Sequence, residues 1–311
     1  MTLTQLSYAL AVMRLRHFGK AADYCHVTQP TLSMQIQKLE DDLGIQLFDR
    51  QQHPVEPTQA GKHLLLQAER IMNEANKLDE MVNELKGSLK GRFRLGIIPT
   101  LAGSLLYRFI PKLSKAMPEM HFEILEMQTD TIVDQLRQFK LDAAILATPL
   151  NEKDLVEIPV FYEPFMAYVP EGHRLQSEAF VLHSELDARD ILLLDEGHCF
   201  RNSVLQLCSH NQEEDSKRKI HLASGNFDSL IKLAKLGYGM TLLPYLTAAD
   251  LPKEEQKALK PIDHPIPTRE VSIMYHQSHY KLAIVRKLAE VLATAVPARL
   301  HDESHAVVPP R

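Results

Sequence analysis

The sequence predicts an α/β protein with a small helical N-terminal domain, one long helix, and a C-terminal region made of two α/β lobes. Three observations predict this architecture. Apolar residues recur at helical spacing through the first sixty residues, a heptad pattern follows without proline, and strand-like and helical segments then alternate. A length of 311 residues agrees with two or more domains, since one domain typically takes about 100–200 residues.

Composition narrows the class of protein. Hydrophobic residues make up 45% and charged residues 24% of the chain, which excludes a fully disordered or fibrous protein. No apolar run approaches the ~18 residues of a transmembrane helix, and the N-terminus lacks the features of a secretory signal. We therefore expect a cytoplasmic protein without a membrane partner. The net charge of −5 gives no support to nucleic-acid binding, which only a local surface could provide.

Two short helices near the N-terminus predict a helix-turn-helix. Thr28 can cap the second helix, and Pro30 suits its first turn. One apolar stripe runs along that helix and contains Leu32, Ile36, Leu39 and Leu43. The polar run after Gly44 contains two prolines and predicts a hairpin or loop where a wing would lie.

The second helix and the predicted wing carry side chains suited to DNA. Recognition helices read base edges with amides and hydroxyls and hold phosphates with basic groups. The candidate DNA-contacting residues are Gln29, Pro30, Thr31, Ser33, Gln35, Lys38 and Arg50. Residues 1–62 hold six basic and six acidic side chains, so their charge does not predict contact with double-stranded DNA, and the pattern of residues has to decide it.

A long helix begins after Thr58. Its apolar seam steps by four and three residues through Leu64, Ala68, Ile71, Ala75, Leu78, Val82 and Leu85. Such a seam is typical of a helix that pairs with another helix, and it predicts a homodimer. The alternative is a helix that packs on its own domain. Gly87, Ser88 and Gly91 predict its end and a hinge.

The C-terminal region alternates between strand and helix patterns. Its strand-like segments are FRLGII, FEILEM, LDAAIL, ILLLDE, MTLLP and REVSIMY. This alternation predicts largely parallel sheets in two lobes with a cleft between them. Residues 301–311 lack any periodicity and predict a disordered tail.

The cysteines number three, Cys25, Cys199 and Cys208, which is too few for a disulfide scaffold. Cys199 stands where a predicted strand gives way to a helix, near His198 and Arg201. This position predicts a lowered thiol pKa and more thiolate. A thiolate attacks peroxide to give sulfenic acid, which a second cysteine can convert into a disulfide.

The spacing of Cys199 and Cys208 is also informative. Nine helical residues rise about 13.5 Å and place the two thiols on opposite faces, whereas a disulfide needs Cα atoms within about 7 Å. If the segment is helical when reduced, oxidation has to unfold it. The alternative is two buried structural cysteines without a redox role, and a packed core thiol is the interpretation for Cys25.

The N-terminal residues resemble the winged helix-turn-helix of LysR-type transcriptional regulators. The matching residues are Ala21-Ala22, Thr28-Gln29-Pro30, Leu32-Ser33, Gln35-Ile36, Leu39-Glu40, Leu43-Gly44, Leu47-Phe48, Arg50, Thr58 and Ala60-Gly61. The resemblance implies a DNA-binding domain at 1–60, a dimerising linker helix at 61–90, and a regulatory domain at 91–300 similar to periplasmic binding proteins. In that division lobe I holds 91–163 and 267–300, and lobe II holds 164–266.

The segment around Cys199 resembles the peroxide-sensing members of that family. The matching residues are Ile98-Pro99-Thr100, Gln128-Thr129, Glu163-Pro164, Gly197-His198-Cys199, Arg201 and Cys208. The resemblance implies a peroxidatic Cys199 and a resolving Cys208 that form a reversible disulfide. It also implies a peroxide pocket lined by Thr100, Thr129, His198, Arg201 and His221, with no cofactor or metal. Two departures are Asn202, where an acid is common, and a longer charged stretch after Cys208.

The same resemblance implies partners and a setting. It implies a bacterial, nucleoid-associated activator of oxidative-stress genes that binds promoter DNA, takes hydrogen peroxide as its signal, and is not an enzyme. It further implies a cytosolic dithiol reductant, a homotetramer and contact with RNA polymerase.

Two other functions stay open at this point. A small carboxylate in the cleft between the lobes could be the effector instead, and Thr100 suits either function. A thiol peroxidase would turn over rapidly with a reductant. Replacing Cys199 by serine separates the first two, because only the peroxide sensor loses its response.

Overall fold

The chain folds as two units, Met1–Ser88 and Leu89–Arg311. The computed structural model describes residues 1–85, 89–208, 225–279, 281–302 and 306–310. Three predicted features lie outside these residues: the Gly87–Ser88 hinge, the charged stretch after Cys208, and His221. Within the described residues, no helix combines the length and apolar character that crossing a bilayer requires.

The first unit is a helical domain with a two-stranded wing. Its elements are α1 (Leu3–Leu15), α2 (Phe18–Tyr24), α3 (Gln29–Leu43), β1 (Phe48–Asp49), β2 (Glu56–Pro57) and α4 (Gln59–Leu85). The Thr28 side chain caps α3, as predicted, and Gly44 ends it in the left-handed conformation at φ 66°. The predicted stripe is confirmed at Leu32, Ile36 and Leu39, whereas Leu43 is 37% exposed because it lies in the last turn.

The wing leads directly into the long helix. β1 and β2 pair antiparallel, with Phe48 opposite Pro57, which confirms the predicted hairpin. The Thr58 hydroxyl accepts a hydrogen bond from the Gly61 amide at 2.9 Å and so caps α4. Gly61 lies against the Leu47 carbonyl, and a β-carbon there would overlap that backbone. The first turn of α4 therefore needs glycine to pack against the wing.

The predicted seam of α4 changes character along the helix. Its first half faces the core of its own unit, where Ala68 is buried beside Leu65. Farther along, Leu78 is 67% and Val82 is 46% exposed. The alternative of packing on its own domain therefore describes the first half, and the second half presents an open apolar face.

The second unit is α/β. Its strands are β3 (Gly91–Ile97), β4 (Met120–Glu126), β5 (Ala143–Thr148), β6 (Leu155–Tyr168), β7 (Thr241–Pro244), β8 (Leu259–Pro261), β9 (Pro267–His276) and β10 (Ala306–Val307). Its helices are α5 (Pro99–Ala116), α6 (Thr129–Arg137), α7 (Cys199–Leu207), α8 (Phe227–Lys235), α9 (Tyr245–Ala249), α10 (Lys253–Gln256) and α11 (Leu282–Ala295). The strand order is β4-β3-β5-β9-β6-β7, with β10 beside β9 and β8 beside β6.

Two expectations for the sheets were wrong. The pairing is mixed and not largely parallel, because β3, β4 and β5 run parallel while β5, β9, β6 and β7 pair antiparallel. The segment ILLLDE is not a strand beyond one bridge between Ile191 and Met240. Side chains satisfy much of its backbone instead. Thr241 Oγ1 donates to the Leu192 carbonyl and Arg201 to the Leu194 carbonyl.

Two apolar cores form within this unit. The first surrounds β3, β5, α5 and α11, and the second surrounds β7, α7 and α8. The long strands β6 and β9 connect them, and on β6 Phe161 lies in the first core while Phe165 lies in the second. The predicted two-lobed α/β architecture is confirmed, with β6 and β9 as the shared strands.

The C-terminal tail differs from the prediction of disorder. Ala306 and Val307 pair in parallel with Pro267 and Thr268 of β9. Val308 is 9% exposed and joins the second core. Within the described residues, 306–308 are ordered because they pair with β9 and Val308 enters a core that lies far from it in sequence.

Candidate functional site

Cys199 is the first residue of α7 and lies where the two cores meet. It is 8% exposed and belongs to the first core, whereas Phe200 and Val204 of the same helix belong to the second. His198 precedes it at the N-cap in extended conformation. The Gly197 before it lies against the Gln128 amide, and a β-carbon there would overlap that side chain.

Thr129, the first residue of α6, brings a hydroxyl to this thiol. Thr129 Oγ1 is fully buried and meets no partner in good hydrogen-bond geometry within the part of the chain that the structure describes. It nevertheless lies near enough to Cys199 to lower the pKa of the thiol. A buried hydroxyl without a well-aligned partner is a site that can take a small polar ligand.

A buried ion pair lies beside the same thiol. Arg269 on β9 is 2% exposed and donates to Glu163 Oε2 through Nε at 2.8 Å and Nη2 at 2.6 Å. Arg269 also donates through Nη1 to the Thr100 hydroxyl at 3.1 Å and through Nη2 to the Thr100 carbonyl at 3.2 Å. The remaining Glu163 oxygen accepts from the Leu246 amide at 2.7 Å. The network joins β6, β9, α5 and α9 and carries a fixed positive charge to the thiol.

The pKa of Cys199 is the reverse of the prediction. Burial raises the pKa of the thiol above its ordinary value, and the Thr129 hydroxyl and the positive charge of Arg269 lower it by less. The predicted lowering failed because desolvation of a thiolate inside the core outweighs the helix terminus and the cation. In this state Cys199 is a protonated thiol at neutral pH.

His198 and Arg201 do not act on the thiol in the way that was predicted. Burial lowers the pKa of His198, with Asp195 and Glu126 opposing, so its imidazole is neutral at pH 7. The Arg201 guanidinium donates to the Leu194 carbonyl at 3.1 Å. The cation that stabilises the thiolate form is Arg269, a residue that sequence reasoning missed. A signal was present in the sequence, since Arg269 is the basic residue that begins the predicted strand REVSIMY.

Cys208 lies at the other end of α7. It is the C-cap residue, it is 8% exposed, and its thiol donates to the Val204 carbonyl at 3.3 Å. Neither Cys199 nor Cys208 is in a disulfide. The helix α7 runs over 9 residues from Cys199 to Leu207, so the segment that separates the two thiols is helical, as the spacing argument required. The two thiols can bond only after α7 unwinds.

The candidate DNA-contacting residues fall into two groups. Gln29, Pro30, Thr31 and Lys38 are exposed on α3, and Met34 between them is 62% exposed. The others are held by contacts inside the domain.

These internal contacts fix the wing and the second half of α3. Arg50 donates to Ser33 Oγ at 3.1 Å and to the buried Glu40 carboxylate at 2.9 Å. Gln35 accepts from Gln5 Nε2 at 3.2 Å. Ser33, Gln35 and Arg50 therefore support the exposed surface of α3 through contacts that the sequence pattern did not indicate.

Comparison with known families decides what kind of chain carries these sites. Residues 3–62 match the bacterial regulatory helix-turn-helix protein of the lysR family, and residues 86–297 match the LysR substrate binding domain. The chain belongs to the LysR family of bacterial regulators. As a LysR-family member it is a DNA-binding regulator whose second unit is the family's regulatory domain.

Relatives of the chain within the LysR family are named as OxyR or as hydrogen peroxide-inducible genes activators. The chain is 34% identical over 300 residues to the DNA-binding transcriptional dual regulator OxyR of Escherichia coli K12, which covers 96% of each chain. It is 34% identical over 277 residues to the hydrogen peroxide-inducible genes activator of Haemophilus influenzae, covering 88% of this chain and 90% of that one.

Solved structures agree with this relationship. A full-length OxyR of Pseudomonas aeruginosa, carrying a cysteine-to-aspartate substitution, superposes with a TM-score of 0.80 at 32% identity and covers 98% of this chain and 99% of that one. A peroxide-bound cysteine-to-serine mutant of OxyR from Corynebacterium glutamicum gives a TM-score of 0.61 at 27% identity, covering 94% and 92% of the two chains.

A cavity of about 410 Å³ opens beside Thr100. Three acidic side chains line it, Glu126, Asp228 and Asp250, together with the N-termini of α5 and α8. No lysine, arginine or histidine is among the described residues of its lining. Two of these carboxylates have cationic partners, since Asp228 pairs with Lys232 and Asp250 pairs with Arg108, each at 2.6 Å. The charge of the lining therefore does not decide between a small carboxylate and another effector.

Proposed function

We propose that the chain is a hydrogen-peroxide-sensing transcriptional regulator, switched by a reversible disulfide between Cys199 and Cys208. One observation carries the proposal. Two buried, reduced thiols lie at the two ends of one helix and belong to two different cores. Joining them requires α7 to unwind, and this rearranges both cores at once. The names of the relatives support peroxide as the signal.

The chemistry begins at Cys199 as the peroxidatic residue. Its sulfur attacks one peroxide oxygen, the O–O bond breaks, and the thiol proton leaves with the departing hydroxide as water. Cys199 is then a sulfenic acid. The Cys208 sulfur attacks it, the S–O bond breaks, and a second water leaves. The net reaction converts two thiols and one hydrogen peroxide into a disulfide and two waters, and a cytosolic dithiol reverses it by exchange.

The residues around Cys199 have proposed roles in this reaction. Thr129 and Thr100 hold the peroxide oxygens through their hydroxyls, and the Thr129 hydroxyl is available because it has no well-aligned partner among the described residues. Arg269 stabilises the transient thiolate, a role that the resemblance assigned to Arg201. His198, neutral in this state, accepts a hydrogen bond from the peroxide. His221 completes the pocket by resemblance alone.

The N-terminal unit delivers the output. Gln29, Pro30, Thr31 and Lys38 contact promoter DNA directly, while Ser33, Gln35 and Arg50 support that surface. The exposed apolar face of α4 at Leu78 and Val82 forms the homodimer contact. We also propose a homotetramer, contact with RNA polymerase, and residence in the cytoplasm at the nucleoid, as the resemblance implies.

The proposed function is tested by DNA footprinting of the reduced protein before and after hydrogen peroxide. The wild type and Cys25→Ser are expected to shift their footprint, and Cys199→Ser is expected to keep the reduced pattern. A footprint that shifts with peroxide in Cys199→Ser contradicts the proposal. A response of that variant to small carboxylates would favour the alternative effector.

A further inference from the structure

The last described residues of the chain form a short strand beside β9, the strand that carries Arg269. Ala306 and Val307 extend the sheet beside Pro267 and Thr268, and the Val308 amide donates to the Thr268 carbonyl at 2.8 Å. Thr268 directly precedes Arg269. The tail is therefore attached to β9 next to the residue whose charge acts on Cys199.

The same tail also contacts α7. Ser203, in the middle of the helix and 3% exposed, donates its hydroxyl to the Pro309 carbonyl at 3.1 Å. Val308 is buried in the second core together with Phe200, Val204 and Cys208. Pro310 is buried as well. The tail thus connects β9, which stays in the sheet, to the helix that has to unwind.

We propose that the C-terminal tail, Ala306–Pro310, holds α7 in its helical form and so sets how readily the Cys199–Cys208 disulfide forms. The inference rests on the proposed function for its redox consequence. The hydrogen bond requires helical α7, because the helix places Ser203 at the Pro309 carbonyl, and Val308 shares the second core with residues of that helix. Forming the disulfide removes these contacts. Interactions made in one state alone shift the equilibrium toward that state.

The expected size follows from the contacts involved. The tail gives α7 one hydrogen bond and adds a buried valine to the second core, and the loss of either interaction shifts an equilibrium constant about several-fold. Part of this remains after unwinding, since the tail can stay paired with β9. We therefore expect about a tenfold change in the equilibrium between helical and unwound α7, on which both amide exchange and disulfide formation depend.

Two variants of the protein test the proposal, and a third serves as the control. A protein that ends before Ala306 lacks the tail, and Ser203→Ala removes the hydrogen bond while the tail remains. Ser104→Ala is the matched control, because Ser104 is also buried and its hydroxyl donates to a carbonyl of its own helix, as that of Ser203 does. Ser104 lies on α5, whereas the tail contacts α7.

Two measurements read out the variants. Amide hydrogen exchange of residues 199–207 in the reduced protein reports how firmly α7 is held. The rate of Cys199–Cys208 disulfide formation, after one equivalent of hydrogen peroxide, reports the redox consequence. Truncation is expected to speed both amide exchange and disulfide formation about tenfold. Ser203→Ala is expected to speed them about threefold, and Ser104→Ala is expected to match the wild type.

Exchange within twofold of the wild type in both tail variants would overturn the proposal. Faster exchange with an unchanged rate of disulfide formation would show that the tail holds α7 but does not regulate oxidation, and this would also overturn the proposal. If the truncated chain does not fold, Ser203→Ala decides. If the wild type itself forms no disulfide, the proposed function fails, and hydrogen exchange alone decides whether the tail holds α7.

Discussion

Cys199 and Cys208 are equally buried at the two ends of α7, but their surroundings differ. Cys199 meets the Thr129 hydroxyl and the charge of Arg269, which both favour its thiolate. Cys208 lies among apolar side chains of the second core and donates to the carbonyl of Val204 on its own helix. Among the described groups, a hydroxyl and a cation favour the thiolate of Cys199, whereas the apolar second core surrounds Cys208.

The difference shows where the reactivity of a buried thiol originates. The groups that distinguish Cys199 come from α6 and β9, far from it in sequence, and the neighbouring His198 and Arg201 contribute less than expected. The Arg269–Glu163 pair joins residues 106 positions apart. A local sequence pattern thus locates the thiol, while the fold supplies its activation.

The largest effect is expected from removing either thiol. Cys199→Ser should abolish peroxide-induced oxidation at this site, lowering the rate at least about 100-fold, because the thiol sulfur is the nucleophile. Cys208→Ser should still oxidise Cys199 at nearly the wild-type rate and accumulate sulfenic acid. Trapping with a dimedone probe and mass spectrometry measures both. Equal dimedone labelling of Cys199→Ser and Cys208→Ser would contradict the assignment of Cys199 as the thiol that peroxide oxidises first.

Replacing Arg269 by methionine should come next. It leaves Glu163 buried without its cation, so we expect a loss of about 3–5 kcal/mol in the free energy of unfolding by urea. The rate of Cys199 oxidation should fall about tenfold. The double variant Glu163→Gln with Arg269→Met should recover most of the stability and keep the slow oxidation. If the double variant recovered both the unfolding free energy and the oxidation rate, the Arg269–Glu163 ion pair would have only a structural role.

A smaller and more selective effect is expected for Thr129→Val. The change removes the hydroxyl that lowers the pKa of Cys199 and keeps the shape of the side chain. The rate of oxidation should fall several-fold, with the unfolding free energy within about 1 kcal/mol of the wild type. Thr148→Val is the control, since its buried hydroxyl has hydrogen-bond partners and lies elsewhere. It should lose stability and keep the rate.

The mildest test is pH. Because the pKa of Cys199 is raised, the oxidation rate should climb about tenfold per pH unit through neutrality, following the thiolate fraction. The raised pKa means that the folded protein binds this proton more tightly than the unfolded chain. The contribution of the Cys199 thiol to the free energy of unfolding is therefore complete below the ordinary thiol pKa. It is lost as pH rises through the pKa of Cys199 in the folded protein. A rate that is constant between pH 6 and 8 contradicts the raised pKa.

Local signals predicted the N-terminal unit well, and non-local contacts explain the errors elsewhere. The Thr28 cap and the Leu32, Ile36 and Leu39 stripe identify α3 without reference to the rest of the chain. The strand β6 had no clear pattern, since its burial alternates irregularly around a register shift at Pro159 and Phe161. The order of the tail and the role of Arg269 depend on partners that only the folded chain brings together.

The most direct test of the account is a non-reducing peptide map of the reduced protein after one equivalent of hydrogen peroxide, sampled from seconds to minutes. The account predicts a Cys199–Cys208 disulfide that forms within this time, with Cys25 still a thiol and α7 amides losing their protection in parallel. Both thiols remaining reduced under a modest excess of peroxide, with α7 intact, would contradict it.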